Sequence, residues 1–149
     1  MISLTNTQRT FAIDATRITA QLEAMLQALQ YDGFAVGILI CGEKKMAGFN
    51  KQYRNKDGAT DILSLPYHTD LQPGKRIVIE HDDDKNLGDI ILCPRVIDRK
   101  RRDWKNDFDT HLTILLAHGI AHLLNYDHKT DEQFAAMQAV EKKLLAAVR

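Results

Sequence analysis

Eleven consecutive residues constrain this chain more than any others: His118-Gly119-Ile120-Ala121-His122-Leu123-Leu124-Asn125-Tyr126-Asp127-His128. Three of the six histidines lie here, in the pattern H-x3-H-x5-H. The first two fall inside the apolar stretch Leu112–Leu124. Four residues are about one helical turn, so both imidazoles leave one helix face roughly 6 Å apart along the axis. Apolar residues on nearly every side predict a buried helix, where an imidazolium is costly and neutral rings are ready to ligate. Asn125 stands where a left-handed terminal residue is expected, a conformation that Asn tolerates second to Gly. That turn would swing His128 back toward the pair. Three converging neutral imidazoles suit Zn²⁺, which keeps three protein ligands and an open position at catalytic sites.

Gly119 costs about 1 kcal/mol in a helix interior relative to Ala, so it marks the close approach of a neighbouring element. It also occupies the position where a zinc peptidase with H-E-x-x-H carries its general base. The helix therefore offers metal ligands and no base of its own. His111 shares the face of His118 but lies roughly 10 Å away, too far for the same ion. It reads as a helix-start or groove-lining residue. Asp127 reads equally as an acceptor for a ligand ring N–H and as a turn residue.

The remaining pattern places these groups in a fold. At 149 residues the expectation is one domain spanning 1–149. Periodicity and breakers predict strands at Ile2–Leu4, Phe34–Cys41, Asp61–Leu65 and Gly88–Cys93. Helices are predicted at Thr16–Leu29, Lys44–Tyr53, Pro94–Trp104, through the histidine stretch, and at Asp131–Val148. Phe134, Met137, Val140, Leu144 and Val148 share one side of the last helix. His68 to Asp84 reads as a long excursion with a possible hairpin strand at Ile77–Ile79. Helices and strands mix without regular βαβ alternation. The expected class is α+β, a small mixed sheet of about four strands packed with helices, with the metal site on a buried central helix.

Twenty basic and twenty acidic residues leave no net charge, so any grip on nucleic acid must come from local clustering. Arg99, Lys100, Arg101 and Arg102, with Lys105, form such a cluster; the alternative meaning is a solvated helix face. No apolar run is long enough to span a membrane, and the N-terminus lacks the pattern of a secretory leader. Cys41 and Cys93 have no metal or redox spacing and read as buried thiols in a reducing compartment.

With these residues in view, the chain resembles the YbeY family of bacterial and organellar endoribonucleases. The family signature H-G-x-x-H-L-x-G-Y-D-H stands here as HGIAHLLNYDH, departing at Asn125 in place of Gly. A second segment, MAGFNKQYRNKDGATDILSLPYH, resembles N-x-x-Y-R-x-K-D-x-x-T-D-V-L-S-F-P through Asn50, Tyr53, Arg54, Lys56, Asp57, Thr60, Asp61, Leu63, Ser64 and Pro66. A third, Leu87 to Cys93, resembles the family's L-G-D-I strand.

The resemblance implies one zinc ion held by His118, His122 and His128, with His118 and Arg54 in the catalytic machinery. A guanidinium at Arg54 can grip a phosphate bidentately; its alternative is an ion pair with Asp57 or Asp61. The implied activity is cleavage of single-stranded RNA in the maturation of ribosomal RNA, at the 3′ end of the small-subunit RNA, and in ribosome quality control. Arg99, Arg101 and Arg102 would follow the RNA backbone. The implied partners are ribosomal RNA, the small subunit and its assembly proteins, with no membrane and a monomeric state. The cytoplasm is expected in a bacterium, an organelle in a eukaryote. Two rival readings make different demands. A peptidase or amidase needs a carboxylate base, for which Glu80, Glu43 and Asp89 are the candidates. A non-catalytic assembly factor with structural zinc needs a fourth ligand, from Cys41 or Cys93.

Overall fold

The computed structural model describes residues 1–148. Four strands and five helices follow in the order β1 (Ile2–Asn6), α1 (Ala15–Ala28), β2 (Ala35–Ile40), α2 (Glu43–Arg54), β3 (Ile62–Pro66), β4 (Asn86–Leu92), α3 (Pro94–Asp103), α4 (Phe108–Leu123) and α5 (Asp131–Ala147). The sheet order is β1-β2-β4-β3. β1 runs parallel to β2 and β2 parallel to β4, while β3 runs antiparallel to β4. The fold is α+β, with a mixed sheet.

Alternation along the strands sorts the core into two layers. Val36, Ile38, Ile40, Ile90 and Leu92 join the helical residues Leu22, Met25, Leu26, Leu116 and Ile120 on one face. Leu63 and Ile91 join Cys41, Met46, Cys93 and Val96 beneath α2 and α3 on the other. The Asp14 carboxylate caps α1 by accepting from the Arg17 amide at 3.0 Å. Asp107 caps α4 by accepting from the Thr110 amide at 2.6 Å. Asp109, in the first turn of α4, pairs with Arg17 at 2.9 Å.

Two local expectations are corrected. Ile77–Ile79 is not a strand: β3 pairs directly with β4, and the excursion between them lies outside the sheet. Side chains pin it instead. Arg76 donates to the carbonyls of Leu29 and Gln30, both at 2.6 Å, and covers the Tyr31 ring. The Ile77 amide reaches the Tyr31 hydroxyl at 3.1 Å. Phe134, expected on the buried stripe of α5, is exposed, because it stands in the first turn ahead of the buried Met137 and Leu144. No described helix is long and apolar enough to cross a membrane.

Candidate functional site

Two glycines set how closely the elements around the site approach. A Cβ on Gly119 would stand 2.9 Å from Ile90 Cδ1 and 3.0 Å from Ile62 Cδ1, so the bare backbone lets α4 settle onto β3 and β4. Gly88 has φ +121°, and a Cβ there would overlap the Leu65 carbonyl. It sits at the register shift between β2 and β4 and allows β3 to close against β4.

The helix stop behaves as its sequence requires. Asn125 has φ 66°, in the left-handed region. Its amide also donates to the carbonyls of His68 at 2.8 Å and Leu71 at 2.9 Å, tying the excursion to the end of α4. The chain then returns His128 to the pair on α4. Ligand atoms of His118, His122 and His128 all lie within 4.8 Å of one another.

Protonation at this cluster follows from its partners. The Glu141 carboxylate on α5 lies 3.0 Å from His118 Nδ1. A carboxylate only accepts, so Nδ1 carries the proton and Nε2 presents a lone pair. Burial pushes the His122 pKa below its ordinary value, helped by the neighbouring His118, so that ring stays neutral. Its Nε2 faces His118 Nε2 at 3.0 Å. Two imidazole nitrogens turned toward each other, with a third ring beside them, form a donor set that a cation reconciles. The residues therefore fit a metal ion such as zinc. Among the described residues no fourth His, Cys, Asp or Glu joins the cluster, which matches an open site.

The cluster opens into a groove of about 710 Å³ whose lining includes Arg54, Asp61, Ser64 and Lys100. Thr60 and Asp61, with Ile62 to Ser64 on the edge strand β3, supply one wall. Arg54 ends α2 and is exposed; the neighbouring acids are engaged elsewhere. Asp57 pairs with Lys51 at 3.5 Å, and Asp61 pairs with Lys100 at 3.5 Å. Among the described residues Arg54 forms no ion pair, so its guanidinium is available to a ligand in the groove.

The other predicted residues lie elsewhere. Arg99 is paired with Glu43, and Arg101 and Arg102 share Asp98 at 2.7 and 3.2 Å, outside the groove lining. Of that basic run, Lys100 alone lines the groove. His111 stands in the first turn of α4, as a helix-start residue, and does not line the groove; it is buried, 6 % exposed, and its Nδ1 has no partner among the described residues. Asp127 accepts from the His128 amide at 2.8 Å, so the turn reading holds, and Glu141 takes the ring N–H. Glu43, Glu80 and Asp89 do not line the groove, and the peptidase reading loses its candidate bases. Cys41 and Cys93 are buried in the layer beneath α2 and α3. Burial, then the nearby Cys93, push the Cys41 thiol up to about 11, which makes it a poor ligand.

Sequence reasoning did not single out Glu141. It follows the triad by thirteen residues and lies on a different helix, so only the packing of α5 on α4 brings it to His118.

Comparison with known proteins identifies the family. The family model described as Endoribonuclease YbeY matches residues 3–149. A human protein named Endoribonuclease YbeY is 31% identical over 140 residues, covering 94% of this chain and 83% of the relative. A namesake from Magnetococcus marinus is 33% identical over 134 residues, covering 87% of this chain and 91% of the relative. A Frankia casuarinae namesake is 31% identical over 136 residues, with 91% and 68% covered. The solution structure of a Thermotoga maritima protein superposes with a TM-score of 0.57 at 22% identity, covering 98% of this chain and 90% of that one, and supports the fold. The groove and its histidine cluster thus belong to a chain of the nuclease class. This chain is a member of the Endoribonuclease YbeY family.

Proposed function

We propose that this protein is a zinc-dependent endoribonuclease that cuts single-stranded RNA in the maturation of ribosomal RNA. The carrying observation is the three-histidine cluster opening into a groove that also holds an unpaired arginine. His118, His122 and His128 would hold one zinc ion, which when bound supplies Lewis acidity toward a phosphoryl oxygen or water. Glu141 holds the His118 ring in the tautomer whose Nε2 would be free to ligate the ion. Arg54 grips the scissile phosphate and offsets its growing charge. Lys100 adds positive charge along the same wall.

On this reading residues 1–149 act as one nuclease domain on ribosomal RNA of the small subunit. Cytoplasm is the expected compartment in a bacterium, and an organelle in a eukaryote.

The test compares wild type, His118→Ala and Arg54→Glu for metal content, folding and cleavage of single-stranded RNA. Wild type should carry about one zinc per chain and cut. His118→Ala should lose metal and cutting, and Arg54→Glu should lose cutting while keeping metal. Equal cutting by all three would overturn the proposal.

A further inference from the structure

The indole of Trp104 is the least explained feature near the groove. It ends α3 and is 73 % exposed, although a Trp side chain can bury roughly 150–250 Å². Its backbone is held firmly. The Lys105 amide closes onto the Arg102 carbonyl at 3.2 Å, and the Asn106 amide onto the Arg101 carbonyl at 3.0 Å. The Asp98 carboxylate binds Arg101 Nε at 2.7 Å and fixes the preceding turn. A fixed scaffold thus carries a large flat apolar ring into solvent.

Its surroundings say what would cover it. Between Arg95 and Lys105 the sequence has six basic side chains against Asp98 and Asp103. Lys100 stands one helical turn before Trp104, on the same side of α3, and lines the histidine groove. Its contact with Asp61 is long, 3.5 Å, and the lysine side chain is half exposed, so the ammonium is open on its solvent side to a phosphate. Lys105 follows directly and has no ion pair among the described residues. An aromatic face beside cationic side chains is complementary to the bases and phosphates of single-stranded nucleic acid.

We propose that Trp104 is a stacking platform for one base of single-stranded RNA beyond the histidine groove, with Lys100 and Lys105 engaging the adjoining phosphates. The inference rests on the RNA-cleaving reading above and extends it by a subsite. The subsite selects unpaired RNA, because a base held in a duplex cannot lay its face on the indole.

Trp104 is the chain's only tryptophan, so its fluorescence reports this position alone. The experiment titrates the zinc-loaded protein with a 2′-O-methylated single strand of about 12 nucleotides, within the site sizes of single-strand binders. Affinity is read independently by anisotropy of a labelled strand. Binding should quench the tryptophan emission. Trp104→Ala should weaken affinity roughly five- to a hundred-fold, the range for loss of one stacked base, and Trp104→Phe should retain most of it. Because the side chain is exposed, all three proteins should unfold at the same temperature. Tight binding without quenching, together with unchanged affinity in Trp104→Ala, overturns the subsite and leaves the nuclease reading standing. That result would assign the indole to another partner, such as a protein. Absence of any strand binding by wild type overturns both.

Discussion

Glu141 Oε1 lies 3.0 Å from His118 Nδ1, joining α5 to the histidine-bearing face of α4. The contact fixes which nitrogen of His118 carries the proton and holds the ring against rotation. Partners of this kind commonly contribute 10–100-fold in metal affinity. Glu141→Ala should therefore weaken zinc binding by about that factor. Glu141→Gln keeps an acceptor oxygen and should lose less. Competition with a chromophoric chelator measures both, and equal zinc affinity in all three proteins would remove Glu141 from the site.

Asn125 does two separable jobs. Its backbone takes φ 66°, and its side chain donates to the carbonyls of His68 and Leu71. Asn125→Gly keeps the first and loses the second. Each lost bond is worth about 0.5–1.5 kcal/mol, spent locally on the excursion between β3 and β4. Amide exchange should accelerate around residues 68–72 while the sheet stays protected. Asn125→Ala loses both and should be less stable than Asn125→Gly, because a Cβ without a polar group disfavours the left-handed region.

His111 predicts an acid-sensitive fold. Burial pushes its pKa below the ordinary value, with Asp61 opposing and Lys100 reinforcing the shift. The unfolded chain, with a pKa of about 6.5, then binds more protons than the folded one between the two values. Stability is therefore full above about pH 6.5 and falls as pH drops toward the folded pKa. His111→Leu removes the titrating group and its unpartnered Nδ1. Urea unfolding at about pH 5 and about pH 7.5 should show a smaller acid loss in the variant than in wild type. An equal or larger loss would place the acid sensitivity elsewhere.

How much of this was legible depends on the range of the interaction. The triad lay within eleven residues, and helix geometry plus a left-handed stop were enough to foresee its convergence. Gly119 announced a close approach because no local reason favours Gly inside a helix. Arg54 came into view through its resemblance to a motif; that it is unpaired required the structure, since Lys51 and Lys100 take the acids that could have held it. The basic run looked uniform in sequence, yet helix geometry sends Lys100 to the groove while Asp98 and Glu43 occupy the arginines. Glu141 and the pinned excursion depend on contacts between distant elements, which no local pattern encodes. Ile77–Ile79 misled because a β-branched run becomes a strand only where its backbone pairs, and here Arg76 and the Ile77 amide are held by Leu29, Gln30 and Tyr31 instead.

Gly119 gives the strongest test of how α4 is seated. An added methyl would meet Ile90 Cδ1 at 2.9 Å, Ile62 Cδ1 at 3.0 Å and Ser64 Oγ at 3.4 Å. The two closest atoms are side-chain tips, which can shift by a few tenths of an ångström. Gly119→Ala also gains about 1 kcal/mol of helix propensity. Crowding of this kind costs about 1–3 kcal/mol, so the net stability change for Ala should be small. Function should respond differently, because moving α4 off β3 moves His118 and His122 relative to the wall that carries Ser64. Gly119→Ala should keep its zinc and its melting temperature within a few degrees, and lower kcat/KM for RNA. Gly119→Val, with two further methyl groups at the same contact, should lose stability as well. Full activity in Gly119→Ala would mean that the spacing between α4 and β3 does not set the geometry of cleavage.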